Sequence, residues 1–354
     1  MRIAIVNDMT MAVEALRRVV LSVPGYSIAW IATDGIEAVQ KCAQDRPDLV
    51  LMDLMMPHMD GAEASRLIMQ QSPCAILVVT ATVEGHYSKV FEAMAAGALD
   101  AVETPVLGHA GDPSGATPLL TKMALIHQRL ARKYRKPKFD EAPSSNRVLA
   151  AGHPSTAFPL VVIGASTGGP AALAAILRAL PRELAVGISV VQHVDQFFAP
   201  GMAAWLSRES GLLVQVVKPQ DQPGIGCVQL AATNDHLVLN AALAYEYTVE
   251  PKDLYFRPSV DVFFKSVVRH WPGPLVGVLL TGMGSDGAQG LLSIRQAGGH
   301  TIAQDRESSI VYGMPKAAVA LGAAMEILPL SAIAGGIHQA LSSLPIFSPR
   351  NLHE

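Results

Sequence analysis

Val161-Val162-Ile163-Gly164-Ala165-Ser166-Thr167-Gly168-Gly169-Pro170 decides the fold of the C-terminal half of this chain. A short apolar run ends in Gly-x-Ser-x-Gly-Gly-Pro, and an apolar-periodic segment without formal charge follows to Leu177. The pattern reads as a strand, a sharp turn and a helix. A serine in such a turn stands out from the carboxyl edge of a parallel sheet beside backbone N–H groups, which suits a nucleophile facing an oxyanion hole. Glycine-rich strand-to-helix turns also cradle phosphates, so the motif alone decides nothing about chemistry. It needs partners, and two further apolar strands end in them: Gln192-His193, and Thr281-Gly282-Met283-Gly284-Ser285-Asp286-Gly287.

Those partners complete a hydrolase arrangement. Ser166 needs a base, and His193 closes a strand at the edge where Ser166 emerges. Neutral imidazole can take a serine proton near neutral pH. Asp286 can hold the imidazole tautomer and stabilise imidazolium, and Met283 with its flanking glycines offers N–H groups for an oxyanion. Each residue also has a plainer reading. His193 fits a hydrogen-bonded core histidine, Asp286 fits the N-cap of the helix after it, and Ser166 fits a phosphate turn. His236, after Thr233-Asn234-Asp235, is a weaker base candidate. The order Ser…His…Asp differs from the Ser…Asp…His of α/β-hydrolases. A dinucleotide site would want an acid closing the strand after the Ser166 helix, and that strand closes in His193.

Around this motif, residues 158–345 alternate between strands and helices. Strands are expected at 160–163, 188–192, 213–217, 228–230, 237–239, 275–281, 301–303 and 327–330. Helices are expected after Gly169, Pro200, Ser259, Asp286, Met314 and Ser331. The stretch 224–249 lacks intervening helices and reads as an antiparallel insertion in a mostly parallel sheet. Arg257, Ser259 and Asp261 open a helix, with Ser259 as its N-cap or part of a docking surface.

The chain has 354 residues, 50% of them hydrophobic and 16% charged, enough for two globular domains. A net charge of −3 gives no bulk attraction to nucleic acid. Cys42, Cys74 and Cys227 match no zinc spacing and suit a reducing, cytoplasmic setting. The N-terminus enters a strand without a signal-peptide layout, and the turn residues in the middle of 160–177 argue against membrane insertion there. A basic run from Arg132 to Lys138 starts a Pro- and Ser-rich linker. The expected organisation is thus a first domain at 1–125, a linker at 126–157, a second domain at 158–345 and a tail at 346–354.

The first 125 residues carry five strand–helix units, which imply a parallel sheet covered on both faces. Asp8, Asp53 and Thr80 follow three of the strands at one sheet edge. A carboxylate pair can hold a divalent ion, and Mg²⁺ would offset the charge of an incoming phosphoryl group. Asp53 could then form an acyl phosphate, with the Thr80 hydroxyl on one phosphoryl oxygen. Taken singly, these acids fit ordinary turn residues.

Asp8, the run Leu51-Met52-Asp53-Leu54-Met55-Met56-Pro57, Thr80-Ala81 and Gly97-Ala98-Leu99-Asp100 resemble a flavodoxin-like response-regulator receiver domain. The resemblance implies that Asp53 is the phosphoacceptor, that Thr80 is a switch residue, and that Asp8, Asp53 and the backbone carbonyl of Met55 hold Mg²⁺. Three positions depart from it. Asn7 stands where a second acid is usual, Thr104 where lysine is usual, and Ala101 where an aromatic switch residue is usual. A receiver-like domain that no longer accepts phosphate stays open, because threonine offers only a neutral hydrogen bond.

The whole chain resembles the CheB-type chemotaxis methylesterases, through residues 163–170, Val191-Gln192-His193, Arg257-Pro258-Ser259-Val260-Asp261, residues 280–287 and Val311-Tyr312-Gly313-Met314-Pro315. The resemblance implies a Ser166–His193–Asp286 triad, with Thr167 and Met283 in the site and a doubly wound α/β catalytic domain. It further implies hydrolysis of γ-glutamyl methyl esters on methyl-accepting chemoreceptors and deamidation of receptor glutamines. The implied phosphodonor is a CheA-type histidine kinase, and ester hydrolysis needs no cofactor. Val6-Asn7-Asp8-Met9 and Glu103-Thr104-Pro105 are similar to Wsp-type surface-sensing methylesterases. Two other readings stay open, an adaptor with an idle site and a nucleotide-binding regulator.

Overall fold

The computed structural model describes residues 1–80, 87–105, 113–132, 158–182, 185–254 and 256–343. The chain divides into two compact units, Met1–Arg147 and Val148–Glu354.

The first unit is a five-stranded sheet in the order β2-β1-β3-β4-β5, parallel throughout. Its strands are β1 (Arg2–Val6), β2 (Ser27–Ala32), β3 (Leu49–Met52), β4 (Ala75–Thr80) and β5 (Asp100–Glu103). Helices α1 (Thr10–Leu21), α2 (Gly35–Gln44), α3 (Gly61–Gln71), α4 (Tyr87–Ala95) and α5 (Thr117–Arg132) join or follow them. This is the flavodoxin-like order. Strands β1 and β3 read as continuous apolar runs because helices cover both faces, and Ile3, Ile5, Leu49 and Leu51 are fully buried. Asp34 caps α2, accepting from the Glu37 N–H, and Asp60 caps α3, accepting from the Ala62 and Glu63 N–H groups. Helix α5 occupies the start of the stretch expected as linker. The rest of that stretch, most of the basic run and the tail lie outside the described residues.

The second unit holds a seven-stranded sheet in the order β14-β13-β12-β6-β7-β9-β8, also parallel throughout. Its strands are β6 (Leu160–Ala165), β7 (Gly187–Gln192), β8 (Leu213–Val216), β9 (Cys227–Leu230), β12 (Leu275–Leu279), β13 (His300–Gln304) and β14 (Glu326–Leu328). The antiparallel insertion is only the pair β10 (His236–Leu239) and β11 (Tyr245–Thr248). Strand β9 lies outside that insertion and pairs in parallel with β7 and β8, because helix α7 (Ala199–Ser210) and β8 bring the chain back to the same sheet edge. The other helices are α6 (Gly169–Ala179), α8 (Val260–His270), α9 (Ala288–Gln296), α10 (Met314–Ala320) and α11 (Leu330–Ser343). Phe263, Phe264 and Val267 of α8 pack with Leu160, Leu279 and Leu291 in the core that anchors β6 and β12. Among the described residues no helix is long and apolar enough to cross a membrane.

Candidate active site

Strand β6 lies between β12 and β7, and the chain leaves β6 toward β7 while β12 arrives on the other side. Such a reversal point opens a crevice at the carboxyl ends of the strands. Ser166, His193 and the 281–286 loop follow these three strands. The β6–β7 register pairs Ala165 with Gln192, and the His193 N–H donates to the Ala165 carbonyl at 3.0 Å. Ser166 and His193 are the residues that directly follow this last register pair.

The turn that carries Ser166 is tied from several directions. The Ser166 N–H donates to the Thr281 carbonyl at 3.1 Å. Its carbonyl accepts from the Gly169 N–H at 2.7 Å and from Nε2 of the buried Gln192 at 2.8 Å. Thr281 Oγ1 donates to the Thr167 carbonyl at 2.9 Å. Gly168 has φ +79°, a left-handed conformation that favours glycine, and a Cβ there would lie 2.7 Å from Cβ of Ile310. A Cβ on Gly282 would stand 2.8 Å from that of Ser166, so the end of the β12 segment touches the serine. The N–H groups of Thr167 and Met283 make no hydrogen bond among the described residues.

His193 Nε2 lies 2.8 Å from Asp286 Oδ2, with both side chains about nine-tenths buried. Asp286 also accepts from the Ser259 hydroxyl at 2.7 Å, the Val260 N–H at 2.7 Å and the Asp261 N–H at 3.1 Å. Burial alone would raise its carboxyl, but the hydrogen bond and charge of His193, then the Ser259 hydroxyl and the Val260 N–H, hold it below the ordinary carboxylate value. An ionised carboxylate only accepts, so Nε2 carries a proton, and in the neutral imidazole Nδ1 is then the nitrogen with the lone pair. That Nδ1 is buried without a hydrogen-bond partner among the described residues. In the familiar serine protease triad Nδ1 faces the aspartate and Nε2 the serine, so this ring has the opposite orientation. The carboxylate does not cap α9, whose N-cap is Gly287; it sits on the N-terminus of α8.

One residue of this site, Phe256, and one contact, that of Ser259 with Asp286, were not legible in the sequence. Phe256 stacks on the His193 ring, with centroids 4.4 Å apart and planes 3° from parallel. Ser259 is the N-cap of α8, accepting from the Val262 N–H, and it also reaches Asp286. No local spacing signals either contact, since both cross between segments far apart in the chain. His236 is fully buried with both ring nitrogens on backbone groups, so it does not serve as a base.

In the first unit, Asp53 follows β3 and is buried, whereas Asp8 beyond β1 is exposed. The Leu54 N–H donates to Asp53 Oδ1 at 2.7 Å, and Asn7 Nδ2 donates to Oδ2 at 3.0 Å. Burial raises the Asp53 carboxyl to about 6; the Leu54 and Met55 N–H groups pull it down and the charge of Asp8 pushes it up. Thr80 ends β4, buried, and its carbonyl accepts from the Thr104 N–H at 2.9 Å. The Thr104 hydroxyl is buried without a hydrogen-bond partner among the described residues. Ala101 lies buried in β5.

A family model for the CheB methylesterase matches residues 161–337, and one for the response regulator receiver domain matches residues 3–108. A protein-glutamate methylesterase/protein-glutamine glutaminase of Bordetella avium is 53% identical over 353 residues, covering 98% of this chain and 100% of that one. The chain belongs to the CheB methylesterase family. A relative of the same name from Burkholderia thailandensis is also 53% identical, covering 94% of this chain and 96% of its own. The crystal structure of the Thermotoga maritima CheB methylesterase catalytic domain is 33% identical, covers 52% of this chain and 97% of that chain, and has a TM-score of 0.49.

For a CheB-family chain the two sites differ in character. The second unit gathers a serine, an oriented imidazole and unpaired backbone donors at one sheet edge, which is the equipment for acyl transfer. The first unit gathers a buried carboxylate, a nearby exposed one and a neutral amide. That set fits a divalent cation, because Asp8 and Asp53 repel each other across an edge where only neutral donors reach Asp53.

Proposed function

We propose that this chain hydrolyses glutamate γ-methyl esters of methyl-accepting chemoreceptors, releasing methanol, and deamidates receptor glutamines. The observation that carries this reading is the His193 ring: Nε2 is committed to Asp286, Nδ1 is buried without a hydrogen-bond partner among the described residues, and His193 directly follows Gln192, the register partner of Ala165 next to Ser166.

In this mechanism Nδ1 takes the Ser166 proton as Oγ bonds to the ester or amide carbonyl carbon. The Thr167 and Met283 N–H groups stabilise the resulting oxyanion, and Asp286 stabilises the imidazolium. Collapse breaks the carbonyl–methoxy or carbonyl–amine bond, and the leaving methanol or ammonia takes the proton from Nδ1. Water, deprotonated by the same Nδ1, releases the glutamate carboxylate and restores Ser166. No step needs a cofactor.

The receiver would regulate this activity through phosphorylation of Asp53 by a CheA-type histidine kinase. Asp8, Asp53 and the Met55 carbonyl would hold Mg²⁺, which neutralises charge on the phosphoryl group when bound. Thr80 would contact the phosphoryl group as the switch residue, and Asn7 and Thr104 favour a Wsp-type pathway. The free Cys42, Cys74 and Cys227 suit a cytoplasmic address.

The test is methanol release from methylated receptor membranes, with and without a small phosphodonor plus Mg²⁺. Wild-type protein should release methanol faster with the donor, and Ser166→Ala should lose at least ~10³-fold of the activity in both conditions. Wild-type turnover by Ser166→Ala refutes the nucleophile. A full donor response by Asp53→Asn refutes the phosphoacceptor.

A further inference from the structure

His236 opens β10 and has no exposed surface. Its Nδ1 accepts from the Ser259 N–H at 3.0 Å, and its Nε2 lies 3.1 Å from the Pro251 carbonyl oxygen. A backbone N–H can only donate and a carbonyl can only accept. The ring is therefore neutral and protonated on Nε2, a tautomer set by its two partners. Both partners belong to one segment. Pro251 lies near its start and Ser259 ends it as the N-cap of α8. Between them Phe256 lies flat against His193. Ser259 in turn gives its hydroxyl to Asp286, and the next two N–H groups give theirs to the same carboxylate.

One buried ring thus closes both ends of the loop that supplies a donor to Asp286 and an aromatic face to His193. We infer that His236 is a positioning residue for the His193–Asp286 pair, acting through its bonds to Ser259 and Pro251, on either side of Phe256. The inference rests on the Ser166–His193–Asp286 reading above and adds to it a residue outside that trio. Without the ring, the Ser259 N–H and the Pro251 carbonyl lose their partners inside the protein. The loop then re-forms around whatever can pair them, and the α8 N-terminus shifts with it. Displacement of a base by a fraction of an ångström is enough to slow proton transfer without changing how substrate docks.

The experiment uses the full chain and compares wild type, His236→Leu, His236→Gln, Ser259→Ala and the His236→Gln/Ser259→Ala double variant, with Ser166→Ala as control. Methanol release gives kcat and KM, and proton NMR follows the low-field resonance of the His193 Nε2–H on Asp286. His236→Leu should lower kcat by ~10–100-fold with KM within about twofold, and should move or broaden that resonance. His236→Gln, which can still accept at one end and donate at the other, should recover about tenfold of the loss. Its effect should be non-additive with Ser259→Ala, because both act on one carboxylate. A folded His236→Leu with kcat within about twofold of wild type overturns the inference, as does a loss of kcat with the His193 resonance unmoved. If His236→Leu does not fold, additive effects of His236→Gln and Ser259→Ala overturn it instead. Failure of the underlying site reading is seen separately, as activity retained by Ser166→Ala.

Discussion

Asp53→Asn should make the receiver more stable at pH 7.5, although Asp53 is the proposed phosphoacceptor. Burial raises the Asp53 carboxyl from 3.8 to about 6 against the pull of the Leu54 and Met55 N–H groups, and Asp8 adds a like charge. An acid whose folded pKa exceeds its unfolded one holds more protons when folded, so stability falls as pH rises from about 3.8 through 6. The gap corresponds to ~3 kcal/mol, fully present above pH 7 and absent below both values. Asparagine removes the charge but has one carbonyl oxygen to accept from Leu54 N–H or Asn7 Nδ2, where the carboxylate serves both. Losing one of those bonds takes back ~1 kcal/mol. The net gain is ~2 kcal/mol at pH 7.5 and nothing, or a slight loss, at pH 4. The assay is hydrogen exchange of the β3 amides in the full chain, in chelator, since a bound cation would neutralise the same charge. Comparing the two chains at one pH cancels the chemical exchange rate, and 2 kcal/mol reads as ~30-fold slower exchange in the variant. Equal or faster exchange of Asp53→Asn at pH 7.5, or the same protection gap at pH 4, would refute the reasoning.

Two further outcomes follow from the catalytic unit. Asp286→Asn should cut methanol release by ~10³–10⁴-fold, because an amide nitrogen can turn an N–H toward His193 and invert the tautomer. It should also lower the thermal midpoint, since the α8 N-terminus loses its anion, worth ~1 kcal/mol. Phe256→Ala removes the ring stacked on His193; an aromatic stack of ~0.5–1.5 kcal/mol implies a ~3–10-fold slower acylation of Ser166 by a small activated ester, measured by burst kinetics. An unchanged burst rate would mean that Phe256 does not restrain the imidazole.

The parallel sheets and the residues at their carboxyl edges were legible because the signals are local. Apolar runs mark β1, β3, β6, β7 and β12; Asp53, Ser166 and His193 come directly after three of them, and Asp8 and the 281–286 loop follow within a few residues of the other two. Strand β12 stops at Leu279, short of the expected Thr281, because the Thr281 side chain bonds the Val311 N–H and the chain turns toward Ser166 there. Strand β9 was misplaced because four residues flanked by turns carry no record of which edge they join. The sequence offered Asp286 as a cap for the helix after it, and the structure uses it on the helix before it. Capping patterns report only neighbours in the chain, whereas α8 begins 26 residues earlier, at Val260. Phe256 was not singled out, and the contacts of Ser259 with Asp286 and of His236 with Ser259 and Pro251 were not legible, for the same reason: they join segments that the fold alone brings together.

Asp286 is at once the orienting carboxylate of the His193 pair and the anion that starts α8. The two sites of the proposed reaction therefore age differently under relaxed selection. A descendant that no longer cleaved esters would still gain stability from Asp286 at the start of α8, and selection for stability would tend to keep it. Ser166 has no such second duty: its side-chain oxygen makes no hydrogen bond among the described residues, and only its backbone groups hold the turn. An idle lineage can drift to alanine there at little cost in stability. In judging which relatives still catalyse, the serine is the informative letter, and the aspartate records only that the helix is still being built.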